Sequence, residues 1–374
     1  MRILLFLRSL LHGGTERQVI VLARGLKARG HEVRIVTLYG GHAFADDLTA
    51  AGIKHDPLGK LGRFDLFAPH RKLVQLARSW PADVVYSFLP AQNLAAVLLS
   101  LFYPQAKLVI GVRAAGLDLQ RYDWLAGLSY RLEPWFARRA DLVISNSAAG
   151  ELWCEERGFP KGKLLTIPNG VETDKFRFDD AARRRLRENL GLAVDAVLVT
   201  VVARLDVMKG HPVFLHAAAQ LAREYTNMVF ACVGNGTEEY LADLMRLASE
   251  LDISDRVIWL PAQKDVRAVF SASDIGVLPS IFGEGFPNIL VEGMACGLPM
   301  VATDTGDARR IVNGYLPIVP PSNATELAGA ISAVASNLHM ASILREKLRA
   351  HIQTHYSAEA LAAATESALM SLER

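Results

Sequence analysis

The sequence predicts an α/β protein built as two doubly wound parallel-sheet domains. Three observations predict it. Short runs rich in Val, Ile and Leu alternate with longer segments of helical spacing, as βαβ units require when a parallel sheet is covered on both faces. The alternation breaks off near residues 167–180 and then starts afresh. The length, 374 residues, accommodates two or three domains of roughly 150 residues each.

In the first half, "RILLFL", "HEVRIVTL", "DVVYSFL", "KLVIGV" and "DLVISNS" read as buried strands. Between them, "TERQVIVLARGLKARG", "LFAPHRKLVQLARSW", "AQNLAAVLLSLF" and "DWLAGLSYRLEPWFARRA" have the spacing of helices. The start, "MRILLFLRSLLHGG", is expected to be a first strand rather than a signal peptide, because Arg8 interrupts its apolar run and no small-residue cleavage site follows. Pro168, Asn169 and Gly170 mark a linker in "IPNGVETDKFRFDD". The second half repeats the pattern with "AVLVTVVARL", "NMVFACVG", "DRVIWLPA", "DIGVLPS" and "LPMVATD". The expected domains are therefore 1–168 and 169–356. Ligands of such sheets bind beyond the carboxyl ends of the strands, so two such domains facing each other would put a cleft between two rows of strand ends.

Composition narrows the class. With 51% hydrophobic and 21% charged residues, this is an ordinary globular chain, and no apolar run reaches the ~18 residues of a membrane span. Cys154, Cys232 and Cys296 are far apart and form no CxxC, which argues against a disulfide framework or zinc site and fits a reducing cytoplasm. Charge is uneven. Residues 1–170 carry 22 Lys and Arg against 14 Asp and Glu, whereas 171–374 carry 19 against 25. Either the front half meets something anionic or two solvated surfaces differ by chance.

The chemistry concentrates in the loops after strands. "FGEGFPNILVEGMACG" follows the strand "DIGVLPS" and places Glu284 and Glu292 in an apolar, glycine-rich segment with almost no counter-charge. Pro287 suits the first turn of a helix running to about Cys296, and a helix start is a natural anion site. Gly293 and Gly297 share a face at i, i+4, so something packs closely there. A carboxylate does not bind phosphate but accepts hydrogen bonds from neighbouring hydroxyls, so two acids beside an anion site suit a ligand with sugars on both sides of a phosphate. A helix-dipole acid plus a solvated Glu would explain the spacing as well. Arg204 and the pair Lys209-Gly210, between a strand and a helix entered at His211-Pro212, form a cationic cradle suited to a diphosphate. Two exposed loop cations are the plain alternative. No Asp-x-Asp pair or His/Asp metal spacing occurs. Gly13 and Gly14, between strand one and helix one, would let backbone N–H groups approach a phosphate, or simply make a tight turn. They are not a GxGxxG fingerprint, which counts against a dehydrogenase.

"HGGTERQVIVLARGLKARGHEV", "IPNGVETDKF", "VVARLDVMKG", "ACVGNGTEEY", "VLPSIFGEGFPNILVEGMACGLPMVATDTGD" and "VPP", in that order, resemble the retaining glycosyltransferases of family 4. Glu284 and Glu292 resemble that family's E-x7-E motif. The resemblance implies a GT-B fold, with a nucleotide-sugar donor (UDP-, GDP- or ADP-sugar) held mainly by the second domain and residues from about 357 to 374 bracing the first. It implies catalytic roles for Arg204, Lys209 and Glu284, with the two cations on the donor diphosphate and Glu284 facing the donor sugar. It places the ribose diol on Glu292, further donor contacts at Gly285, Phe286, Pro287, Asn288 and Ile289, and a closing loop at Gly13 and Gly14. It implies transfer of a hexosyl or N-acetylhexosaminyl group without metal or cofactor, to a glycan or lipid-linked acceptor in cell-surface polysaccharide or glycolipid synthesis. An epimerase or hydrolase of the same fold, or an inactive nucleotide-sugar-binding protein, are the rivals.

Two departures stand out. Phe88, placed on the acceptor side with His12, Arg113 and Asp118, falls where many members carry a His facing the donor sugar, so that function is either absent or supplied by another group such as Arg113, Asp118 or His12. The usual "GGxPE" segment reads "GDARR", with Asp307 replacing a glycine. The segment 113–139 combines Arg113, Arg121, Arg131, Arg138 and Arg139 with Trp124, Leu125, Leu128, Leu132, Trp135 and Phe136. It is either an interfacial helix on an anionic cytoplasmic membrane face or a core-facing stripe with a solvated basic face. "AARRRLRENL" is expected to be a plain exposed helix, and basic residues without interleaved aromatics give no nucleic-acid signal.

Overall fold

The structure, a computed structural model, describes residues 1–11, 13–41, 43–62, 65, 67–113, 115–116 and 124–373, with the side chains of Leu125, Ala126 and Glu373 left out. The chain divides into two compact units. The first joins Met1–Gly170 to Ser357–Arg374, and the second is Val171–Tyr356.

The strands of the first unit are β1 (Arg2–Leu7), β2 (Glu32–Thr37), β3 (Lys54–Pro57), β4 (Val84–Phe88), β5 (Lys107–Val112), β6 (Leu142–Ser145) and β7 (Leu164–Thr166). They form one seven-stranded sheet in the order β3-β2-β1-β4-β5-β6-β7, with every pair parallel. Its helices are α1 (Gly14–Ala28), α2 (Ala45–Ala50), α3 (Phe67–Ser79), α4 (Pro90–Phe102), α5 (Trp124–Ala137) and α6 (Ala148–Glu156).

Strand alternation decides which side chain meets which layer. Ile3, Leu5 and Leu7 of β1 join a core with Val19, Leu22 and Leu26 of α1. Leu4 and Phe6 face the other way, toward Leu73 of α3 and Ala96 and Val97 of α4. Both faces are thus buried, which is why these strands read as continuous apolar runs. The edge strands β3 and β7 were not legible in that way. β3 is "KHDP" and only half covered, since an edge strand needs no apolar face on both sides.

The second unit repeats the design. Its strands are β8 (Val197–Val202), β9 (Met228–Val233), β10 (Val257–Leu260), β11 (Ile275–Leu278), β12 (Met300–Thr303) and β13 (Ile318–Val319). They pair in parallel in the order β10-β9-β8-β11-β12-β13. Its helices are α7 (Asp180–Asn189), α8 (His211–Glu224), α9 (Glu238–Glu250), α10 (Val266–Ala272), α11 (Asn288–Ala295), α12 (Ala308–Val312), α13 (Ala324–Ala335) and α14 (Ala341–His355). Val199 and Val201 of β8 pack with Phe214 and Ala218 of α8. Leu198 and Val202 point to the α11 side, with Leu290 and Met294.

A last helix, α15 (Ala358–Met370), belongs to the first unit and packs along α1. Gly25 makes the approach close: a Cβ there would lie 2.6 Å from that of Ala362. Leu361 and Leu369 complete the same core as β1. Among the described residues no single helix is long and apolar enough to cross a membrane.

Candidate functional site

Strand order reverses direction once in each sheet, between β1 and β4 and between β8 and β11. In open α/β sheets such a switch point opens a crevice at the carboxyl ends of the strands. In the second unit the loops that leave β8 and β11 carry Arg204, Lys209 and Glu284.

After β8, Asp206 Oδ1 accepts from Met208 N at 3.0 Å and starts a single 3-10 turn, Val207–Lys209. Gly210 then joins that turn to α8 in the left-handed region, at φ 69°. A Cβ at Gly210 would sit 1.9 Å from the Pro279 carbonyl oxygen, so only glycine lets this loop lie against the exit of β11. Ile281 N donates to Met208 O at 2.9 Å and ties the two loops together.

That contact places Lys209 Nζ 2.5 Å from Glu284 Oε1. Ser280 Oγ donates to the same oxygen at 2.6 Å, and Thr303 Oγ1 holds the Ser280 carbonyl at 2.5 Å. Glu284 therefore does have a counter-charge, contrary to the sequence reading, because Lys209 is 75 positions away and only the paired loops bring it close. Sequence reasoning also missed Ser280. Lys209 is 19% exposed at its side chain, whereas Arg204 is 72% exposed and only 3.9 Å from Asp206. The two cations are not equivalent: one is locked, the other stands in solvent.

The loop continues through Gly285, whose carbonyl accepts from Asp307 N at 2.9 Å, to the buried Phe286, whose ring lies 5.6 Å from that of Tyr356. Pro287 is the N-cap of α11 rather than part of its first turn. The helix opens at Asn288 and Ile289, a few residues after Glu284 in the same loop, and carries a partial positive charge at that end. Glu292 lies on the buried face of this helix. Gly293 packs on Met300, but Gly297 is past the helix end at φ 71°, against Arg345, so the two do not form one helical face. His211, buried at the start of α8, is pushed down to about 4 by burial and by the neighbouring Lys209 charge.

In the first unit, Gly13 is the N-cap of α1 and Gly14 its first residue. The Glu16 carboxylate folds back on Gly13, so close that a Cβ there would meet Oε2 at 2.2 Å; burial raises its pKa. An acid thus lies against the loop that the glycine pair suggested for a phosphate. Phe88 is fully buried against Tyr86, ring centroids 4.2 Å apart. It is a core side chain and not an acceptor-facing one. Arg113 lies 4.8 Å over the Phe88 ring and donates to Asn169 Oδ1 at 2.9 Å and Tyr86 OH at 3.3 Å. His12, Asp118 and Arg121 lie outside the described residues.

Two features of this unit gave no sequence signal. Leu89, directly after β4, has φ 75°, a strained value for a branched side chain. Below it runs a buried chain from Ser87 Oγ to Asn93 Oδ1 (2.7 Å) and from Asn93 Nδ2 to Glu133 Oε1 (2.7 Å). Burial lifts Glu133 to about 7 despite the Arg157 guanidinium 3.5 Å away.

Four large apolar residues of α5 do not face the core, although Phe136 and Ala137 pack on it. Trp124 is 69% and Trp135 63% exposed, with Leu128 and Leu132 exposed between them, whereas Glu133 and Ala137 point inward. "AARRRLRENL" also differs from its reading: Arg183 and Arg187 are half-buried and grip Asp274 at 2.6 and 3.0 Å.

Two parallel-sheet Rossmann-like units, with charged loops at the switch point of the second, define a protein of the GT-B class. Residues 12–175 match the family model described as Glycosyltransferase Family 4, and residues 196–337 match Glycosyl transferases group 1. Both models describe glycosyltransferases, and together they mark the chain as a family 4-like glycosyltransferase. It is 35% identical over 211 residues to D-inositol 3-phosphate glycosyltransferase 2 of Catenulispora acidiphila, covering 52% of this chain and 48% of that one. It is 33% identical over 162 residues to the GDP-mannose-dependent alpha-(1-6)-phosphatidylinositol monomannoside mannosyltransferase of Mycolicibacterium smegmatis, covering 41% of each. The match thus spans about half the length of these relatives. Anabaena Alr3699/HepE in complex with UDP superposes with a TM-score of 0.87 at 23% identity, over 99% of this chain and 100% of that one.

Proposed function

We propose that the chain is a retaining glycosyltransferase that moves a sugar from a nucleotide-sugar donor to a glycan or lipid-linked acceptor. The observation that carries this reading is the meeting of Lys209 and Glu284 at the β8/β11 switch point, directly before the amino end of α11. A donor diphosphate entering there takes Lys209 from Glu284, while the exposed Arg204 swings in from solvent. Glu284, still held by Ser280, is then freed to accept from hydroxyls of the donor sugar, and Glu292 from the ribose diol. As the sugar–phosphate bond breaks, negative charge grows on the departing diphosphate, and the two cations with the helix end stabilise it in place of a metal. A departing phosphate oxygen takes the acceptor proton as the new bond forms on the same face, which retains configuration. The relatives, GDP-mannose-dependent in one case and in complex with UDP in the Anabaena structure, support a nucleoside-diphosphate sugar as donor class.

A thermal-shift panel of UDP, GDP and ADP sugars identifies the donor, since selective binding raises Tm. NMR of the product then reads the anomer. An inverted product overturns retention, loss of activity in EDTA overturns metal independence, and donor consumption without acceptor makes the chain a hydrolase or epimerase.

The outward apolar face of α5 supports weak peripheral contact with an anionic bilayer. Trp124, Leu128, Leu132 and Trp135 share that face, and Arg131, Arg138 and Arg139 are exposed beside it. Sedimentation with vesicles rich in anionic lipid should pull down a fraction of the protein, and Trp135→Glu should reduce it. Protein left wholly in the supernatant counts against the contact.

A further inference from the structure

The amino ends of the second sheet hold a cavity that the donor reading does not use. Its volume is about 240 Å³, room for several waters at roughly 30 Å³ each. Asp274, which directly precedes β11, and Pro299, which directly precedes β12, are in its wall. The cavity therefore sits at the opposite ends of the strands from Lys209 and Glu284.

Its charges do not balance. Arg183 donates to the carbonyls of Ser271, Ala272 and Ser273 and to Asp274 Oδ1, and Arg187 holds Asp274 Oδ2, so this acid is answered twice. Arg345 is placed differently. Its stem crosses Gly297, where a Cβ would fall 2.0 Å from Arg345 Cγ. Its guanidinium lies 3.6 Å from the centroid of the Phe178 ring. Its Nε is buried with no hydrogen-bond partner. Asp180 acts on Arg345 through its field and is itself bonded to Arg184 at 2.6 Å. Burial, then the Arg183 charge, hold Arg345 below its ordinary pKa.

Capping α11 does not account for Arg345. The Ala295 carbonyl accepts from Arg349 Nη1 at 3.0 Å, and the N–H groups of Cys296, Gly297 and Leu298 close the helix end on the carbonyls of Glu292, Met294 and Gly293. A buried Arg345 Nε–H without an acceptor is costly, and an oxyanion that reaches it along the guanidinium edge would remove that cost.

We propose that this cavity binds a small organic oxyanion, a carboxylate or phosphate ester on an apolar body, with Arg345 on the charged group and Phe178 and Leu338 on the body. Isothermal titration of the full chain with benzoate, phenyl phosphate and inorganic phosphate tests it. Benzoate or phenyl phosphate should bind, and whichever binds more tightly names the charged group. Arg345→Met and Ala341→Phe, the latter filling the cavity from its outer wall, should each weaken binding at least tenfold. Lys209→Ala should leave it unchanged, because the donor site is elsewhere. If Arg345→Met does not fold, Ala341→Phe decides alone. Absence of binding by all three probes, binding unaffected by Ala341→Phe, binding lost in Lys209→Ala, or inorganic phosphate binding as tightly as phenyl phosphate overturns the proposal.

Discussion

Glu284 Oε1 takes one bond from Lys209 and one from Ser280, so the carboxylate is fixed before any ligand arrives. In the proposed reaction the Ser280 bond keeps that carboxylate in place when a diphosphate takes Lys209, so the cations rearrange on binding and not during the reaction. Lys209→Ala and Arg204→Ala should each lower kcat by about 10²–10³-fold with a modest change in donor KM. Glu292→Ala should chiefly raise donor KM, by roughly tenfold or more, because a ribose contact is made equally in ground and transition states. Steady-state kinetics on the identified donor separates the two outcomes. Near-native kcat in both cation variants removes the diphosphate cradle.

At the scale of elements, the site depends on how closely two loops approach, and Gly210 sets that distance. Gly210→Ala combines a left-handed backbone with a Cβ aimed at the Pro279 carbonyl. The loops must part, which costs about 1–3 kcal/mol. Calorimetry should show the second unit's Tm falling by roughly 3–10 °C, and donor affinity should fall with it as Lys209 leaves Glu284. The α1–α15 contact has the same logic in the first unit. Gly25→Val should loosen α15, seen as faster amide exchange in Ala358–Met370, whereas unchanged exchange means that Leu361 and Leu369 hold the helix without the close approach.

Across the whole molecule, Glu133 in the first unit and His211 in the second pull stability in opposite directions as pH changes. Glu133 has its folded pKa raised from 4.5 to about 7. At this group the folded first unit holds a proton that the unfolded chain has lost between these values, so the Glu133 contribution to stability falls as pH rises from 4.5 to 7. His211 has its folded pKa lowered from 6.5 to about 4. At this group the unfolded chain binds the proton first, so the His211 contribution to stability is lost as pH falls from 6.5 to 4. Each effect amounts to about 3 kcal/mol. Four of the five tryptophans, Trp80, Trp124, Trp135 and Trp153, lie in the first unit, so urea unfolding followed by fluorescence reads mainly that one. Glu133→Gln should flatten its pH dependence, and a slope that persists in this variant assigns the effect to another group.

The sequence by itself determined the class of fold, because parallel strands buried on both faces must be continuous apolar runs, and "RILLFL" and "AVLVTVV" announce themselves locally. It also pointed to particular loops, since Arg204, Lys209 and Glu284 lie between strand exits and helix starts. Edge strands such as "KHDP" escaped because half-covered strands need no apolar run. Only the tertiary structure decided which charges pair: Lys209 with Glu284, Arg183 and Arg187 with Asp274, Glu133 with Arg157. It also decided that Phe88 is core and that the tryptophans of α5 face out. Pairing depends on distances between loops remote in sequence, and burial depends on what packs over a helix face, and neither quantity exists until the layers are assembled.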